Sequence, residues 1–117
     1  MLTGGTICSF GDEHGNRLDL DIQKAKALLL QYFEESDSPC AHQKFEVVTV
    51  LNTLSENMTI PKWNELLRFL KKCDFSQYRG IVIAHGTDTL AYTASLLALA
   101  LSKVEIPVFL VSSQLPL

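Results

Sequence analysis

Residues 80–90, Gly80-Ile81-Val82-Ile83-Ala84-His85-Gly86-Thr87-Asp88-Thr89-Leu90, pass from an apolar run through a small polar loop into a second apolar stretch. The run 80–84 has the length and β-branched content of a strand buried on both faces. The stretch that follows, from about residue 88 to 101, is too long for a strand and apolar nearly all round. That predicts a helix covered on two sides. A buried strand feeding a helix through a polar loop is the repeating unit of a parallel α/β sheet.

The same alternation extends outward from it. Residues 107–111 read as the next strand. Upstream, Ile60 and Pro61 open a helix after Thr59, with Thr59 or Ile60 as cap and proline in the first turn. Its inward face is Trp63, Leu66, Leu67, Leu70 and Cys73. Residues 45–51 form a β-branched run read as a mostly buried strand. Residues 18–35 read as a helix with Ile22, Ala25, Leu28, Leu29 and Phe33 on one face, stopped by the linker Ser36-Asp37-Ser38-Pro39. The expected architecture is a doubly wound parallel sheet with helices on both faces.

At 117 residues the chain is one domain at most, 47% hydrophobic and 20% charged, which suits a single soluble core. A net charge of -3 without a basic stripe argues against nucleic acid or an anionic membrane as main partner. The apolar stretch around 91–101 is too short to span a bilayer. Cys8, Cys40 and Cys73 cannot all pair and make no CxxC, and the start of the chain lacks the basic and apolar regions of a secretory leader. The expectation is free thiols in a cytoplasmic protein.

Three polar loops follow three of the strands: 3–7 (Thr3-Gly4-Gly5-Thr6-Ile7), 53–57 (Thr53-Leu54-Ser55-Glu56-Asn57) and 85–89. In open parallel sheets, ligands bind where such loops face one crevice beyond the carboxyl ends of the strands. Loops so rich in small hydroxyl and carboxylate side chains suit a small polar zwitterion. Only Met1 and Leu2 precede Thr3, against about five or six residues in an ordinary strand. That shortness predicts an incomplete N-terminus.

Thr3-Gly4-Gly5-Thr6-Ile7 and His85-Gly86-Thr87-Asp88-Thr89 resemble the two signatures of the bacterial L-asparaginases of the asparaginase/glutaminase family. Leu54-Ser55-Glu56-Asn57-Met58-Thr59 resembles that family's substrate-binding loop, and Val111-Ser112-Ser113-Gln114-Leu115-Pro116 its following strand and turn. The resemblance runs over essentially the whole chain. It implies a Rossmann/flavodoxin-like N-terminal domain, here 1–117, incomplete at both ends and without the smaller C-terminal domain. It further implies hydrolysis of the side-chain amide of L-asparagine, with L-glutamine the alternative substrate, no cofactor and no metal. Thr6 would be the nucleophile forming an acyl-enzyme, and Thr87 the second catalytic hydroxyl. Asp88 would be catalytic and hold the substrate α-amino group, and Ser55 and Glu56 would fix the α-carboxylate and α-amino ends. The family is homo-oligomeric, so a dimer or tetramer is implied. Two parts of its pattern are missing: the lysine beyond the Pro116 turn, and a tyrosine on the loop after the first motif, since residues 8–20 hold none. The 117-residue chain alone is therefore expected to be inactive.

Plainer readings compete with each element. Thr3–Ile7 could be only a tight strand-to-helix turn with glycines chosen for backbone conformation. A phosphate loop is disfavoured, since the segment has neither the GxGxxG pattern nor a Lys-Ser/Thr after the glycines. Thr87 or Asp88 could cap the following helix, and Ser55-Glu56 the one before. His85 reads as a hydrogen-bonded structural histidine, Cys8 as a buried inert thiol, and His14, Cys40 and His42 lack metal-site spacing. Residues 12–16 read as a loop tip placed to serve as a lid. Two other functions remain open at this level. One is a non-catalytic amino-acid-binding or vestigial module. The other is a tRNA-dependent amidotransferase subunit, which uses the same motifs on glutamine.

Overall fold

A computed structural model describes residues 1–11, 18–36 and 43–114, without the side chains of Thr6, Leu18, Asp19 and Leu20. The expected linker around Pro39, the lid at 12–16, the residues His14, Cys40 and His42, and the Leu115-Pro116 turn lie outside the described residues. The elements run β1 (Leu2–Gly4), a 3-10 turn (Thr6–Cys8), β2 (Ser9–Gly11), β3 (Leu18–Leu20), α1 (Ile22–Glu34) and β4 (Thr49–Thr53). A 3-10 turn (Ser55–Asn57), α2 (Ile60–Lys72), another 3-10 turn (Phe75–Gln77), β5 (Ile81–Ala84), α3 (Leu90–Ala100) and β6 (Val108–Val111) complete the order.

Four strands form one parallel sheet in the order β4-β1-β5-β6. On one face α2 and α3 bring Leu66, Leu70 and Leu97 against Leu51, Ile81 and Ile83. On the other, α1 brings Ile22 and Ala25 against Leu2, Cys8 and Ala84. Helices on both faces give the doubly wound layout that the alternating pattern predicts.

The central strand is the shortest. β1 is paired along both its edges, to β4 and to β5. The Met1 nitrogen donates to the Val82 carbonyl at 2.7 Å, Leu2 N–H to Val48 O at 2.8 Å, and Ala84 N–H to Met1 O at 2.9 Å. The Thr3 hydroxyl donates to Ala84 O at 2.8 Å. Thr3 and Gly4 thus belong to the strand, and the loop proper starts at Gly5.

Several boundaries differ from the sequence reading. The helix expected from residue 18 starts at Ile22, capped by Asp21, whose carboxylate accepts from Lys24 N–H at 2.9 Å. Leu18–Leu20 instead pairs antiparallel with Ser9–Gly11. Ser36 does end α1, its hydroxyl donating to Phe33 O at 3.1 Å. The strand expected over 45–51 lies at Thr49–Thr53, where β1 offers partners. Phe45 is spent on a ring contact with Phe33 at 4.1 Å between centroids, and Glu46 accepts from the Tyr78 hydroxyl at 2.6 Å. α2 begins as expected, with Thr59 as cap residue and Pro61 in its first turn. Its C-terminal Lys71 and Lys72 suit the negative end of the helix dipole. α3 is not covered on two sides in this chain. It buries Thr93 and Leu97 and leaves Tyr92 at 69% and Leu99 at 79% exposed.

Candidate active site at the carboxyl edge of the sheet

Because β1 lies between β4 and β5, the loops leaving these three strands emerge side by side. Backbone contact brings them together. Gly4 and Gly5 have φ of 101° and 81°, a region that L side chains rarely adopt. Gly5 N–H donates to Thr53 O at 3.0 Å, tying the first loop to the second. A Cβ on Gly5 would collide with the backbone of Gly86, and one on Gly86 with the Ser55 side chain. The three loops therefore meet at a point with no room for even a methyl group.

Ser55 is the hub of this contact. Its hydroxyl donates to Asp88 Oδ2 at 2.9 Å and accepts from Asp88 N–H at 3.2 Å. Its carbonyl accepts from the Thr89 hydroxyl at 3.0 Å. The capping reading of these residues therefore fails. Thr89 is the cap residue of α3, with no side-chain bond to the helix, and Thr59 is that of α2. Asp88 and Ser55 spend their side chains on each other. Lys62 closes the second loop from α2, its ammonium donating to Thr53 Oγ1 at 2.6 Å and to Asn57 O at 2.8 Å.

Beneath the third loop lies a buried polar chain. His85, 1% exposed, has Nδ1 at 2.7 Å from Gly86 O and Nε2 at 2.9 Å from Thr93 Oγ1. The Trp63 indole N–H donates to the same Thr93 oxygen at 2.8 Å. No buried side-chain polar atom among the described residues lacks a partner, as a packed polar cluster requires. Cys8 is also buried; burial pushes its thiol above the ordinary range, and a weaker backbone hydrogen bond from Gly4 opposes this. It is an inert core thiol.

Of the residues singled out in the sequence, Ser55 and Asp88 are in direct contact, and Thr87 sits half-buried between Gly86 and Asp88. Glu56 is exposed on the 3-10 turn that starts at Ser55. Thr6 follows Gly5 and opens the Thr6–Cys8 turn, entering here by its backbone alone. Sequence reasoning missed the Lys62 clasp and the Trp63–Thr93–His85 chain. Both pair side chains from separate elements, and no local spacing announces them. Among the described residues, no group of three His, Cys, Asp or Glu is arranged to hold a metal ion.

Comparison with known proteins follows the same lines. The family model "Asparaginase, N-terminal" matches residues 1–117. A glutamyl-tRNA(Gln) amidotransferase subunit of Saccharolobus solfataricus is 46% identical over 117 residues, covering 96% of this chain and 24% of the relative. An L-asparaginase of Thermococcus kodakarensis is 37% identical over 115 residues, covering 98% of this chain and 33% of the relative. In three dimensions the chain is similar to the thermostable L-asparaginase from Thermococcus kodakarensis, with a TM-score of 0.70 and 35% identity over 98% of this chain and 33% of that one. L-asparaginase I from Vibrio cholerae gives 0.65 and 27% over 97% and 32%. The chain thus spans a third or less of the length of these relatives, which are not confined to bacteria.

Proposed function

The chain belongs to the asparaginase N-terminal family, and from that membership we propose that residues 1–117 are the first domain of an L-asparaginase. The observation that carries this is the Ser55–Asp88 bond, made where the loops of β4 and β5 close on Gly5. It joins a hydroxyl and a carboxylate of the kind that would take the carboxylate and ammonium ends of an amino acid.

In this reading the Thr6 hydroxyl attacks the side-chain carbonyl carbon of asparagine while a base takes its proton. The carbonyl oxygen becomes an oxyanion held by backbone N–H donors around Gly86 and Thr87. The C–N bond then breaks, the nitrogen leaves as ammonia with that proton, and an aspartyl ester on Thr6 remains. Water, deprotonated by the same base, hydrolyses the ester to aspartate. Thr87 supplies the second hydroxyl, while Asp88, Ser55 and Glu56 hold the substrate's α-amino and α-carboxylate groups. The base, the remaining substrate contacts and the second domain come from outside residues 1–117. The isolated segment is therefore inactive, and the whole protein is a cytoplasmic homo-oligomer.

The test is ammonia release from asparagine and from glutamine by the native-length protein, with mass spectrometry of a Thr6-linked acyl intermediate. Release from asparagine and an ester on Thr6 are expected. An inactive native-length protein would leave only amino-acid binding. The 46% identity to an amidotransferase subunit favours one second reading: the same amide chemistry on glutamine, with ammonia passed to a partner. Glutamine turnover that appears only with tRNA and partner subunits would establish that reading instead.

A further inference from the structure

His85 is a buried titratable ring that the proposed chemistry does not use, yet it touches the loop that carries Thr87 and Asp88. Donor rules fix its role. A carbonyl oxygen has no proton to give, so the Nδ1 atom 2.7 Å from Gly86 O must carry one. The Trp63 indole is a donor only, so Thr93 Oγ1 accepts from it and is free to turn its own proton to His85 Nε2, 2.9 Å away. A ring protonated on both nitrogens would aim two donors at Thr93 Oγ1 and leave the hydroxyl proton in need of another acceptor. The ordered chain runs Trp63 N–H to Thr93 O–H to His85, and His85 Nδ1–H to Gly86 O.

The Gly86 carbonyl and the Thr87 N–H belong to one peptide unit, and no peptide bond among the described residues is cis. In a planar trans peptide these two groups point in opposite directions. Drawing the carbonyl inward onto His85 therefore aims the Thr87 N–H outward, away from the buried ring. We propose that His85 is a positioning residue: with its proton on Nδ1 and its Nε2 held by Thr93, it fixes the Gly86–Thr87 peptide so that the Thr87 N–H meets the developing oxyanion. α2 and α3 take part through Trp63 and Thr93, so the packing of two helices sets the aim of one amide. This role rests on the amidohydrolase reading given above.

The experiment uses the native-length protein and its Thr93→Val and Thr93→Ser variants. Valine keeps the volume and removes the hydroxyl; serine restores it. Asparagine hydrolysis is measured as kcat and KM, alongside the thermal midpoint and a long-range 1H–15N spectrum of the imidazole. The His85 spectrum of the wild type should show the Nδ1–H tautomer. Thr93→Val should lower kcat about tenfold, less than the ~10²–10³ for outright loss of an oxyanion donor. KM should stay within about twofold, as expected when only the transition state is affected. Thr93→Ser should recover kcat. An Nε2–H tautomer overturns the proposal, and so does a Thr93→Val protein that loses thermal stability while keeping wild-type kcat. A wild type that hydrolyses neither asparagine nor glutamine instead removes the underlying reading, and this role with it.

Discussion

The two edges of the sheet are built on opposite plans. At the carboxyl edge, backbone meets backbone: Gly5 against Gly86, Gly5 N–H on Thr53 O, and a serine locked to an aspartate from the neighbouring loop. At the amino edge, where the 3-10 turn Phe75–Gln77 and residues 101–104 lead into β5 and β6, the contacts are between side chains instead. There Leu67, Leu70, Lys71, Phe75, Ala100, Leu101 and Val104 line a groove of about 380 Å³. A backbone contact has no rotamers with which to absorb an added atom, whereas a side-chain groove has many. The difference places geometric precision at the edge with the candidate chemistry and adaptability at the edge without it.

The sharpest way to break this contrast is one methyl group at the carboxyl edge. Gly5→Ala and Gly86→Ala should each cut activity of the native-length protein by more than about 10²-fold, the penalty expected when reacting groups are misplaced by an ångström. An active Gly86→Ala enzyme would mean that the three loops are not locked together. At the other edge a deletion should act on stability alone. Leu70, 1% exposed, borders both core and groove, so Leu70→Ala should destabilise by about 2–5 kcal/mol in denaturant titrations. The protein that remains folded should keep its KM.

Ser55→Ala probes the hub with less violence. Asp88 would lose a hydroxyl partner worth about 1.5–3 kcal/mol as a bond to a charged group, so KM should rise by one to two orders of magnitude. An unchanged KM would detach Ser55 from substrate binding. The smallest effect lies in the turn before β5. Asp74 accepts from the Ser76 hydroxyl at 2.7 Å, from the Gln77 amide at 2.9 Å and from Ser76 N–H at 3.2 Å. Together these hold its carboxyl below the ordinary range, the Ser76 side chain contributing most. A folded pKa below the unfolded one adds stability above about pH 4 and loses it as pH falls through the folded value. Asp74→Asn should lower the thermal midpoint slightly near neutral pH and converge with wild type in acid. A constant difference at all pH values would assign the loss to packing instead.

The parts legible in the sequence are those whose signal is local. α2 announces itself by Pro61 and a clean apolar face, and β5 by its unbroken Ile81-Val82-Ile83-Ala84 run, although the strand is not buried on both faces as expected, since Val82 is 50% exposed. The loops after β1, β4 and β5 are marked by small polar residues. What the sequence hid depends on pairing. Leu18-Asp19-Leu20 fits a helix face as well as a strand, and only its partner Ser9–Gly11 decides between them. Asp21 was the missed sign, an N-cap residue sitting just before the first buried isoleucine. The position of β4 within its β-branched run is set by register against β1, which no window around residue 50 contains. The composition of α3 showed that it is apolar, but burial depends on what surrounds a helix, and here Tyr92 and Leu99 face outward. Thr3 illustrates the same limit within the site, since its place in a recognisable motif gave no hint that its hydroxyl would spend itself on Ala84 O.

The central place of β1 also governs timing. Its bonds to Val82 and Ala84 span 81 residues, so the β5 side of β1 stays unpaired until those residues have been made, whereas its β4 side can pair earlier. Closing so long a loop adds little to the equilibrium penalty, because that entropy grows only with the logarithm of length, but it slows the search. The contact of Gly5 with Gly86 can therefore form only after β5 has been made.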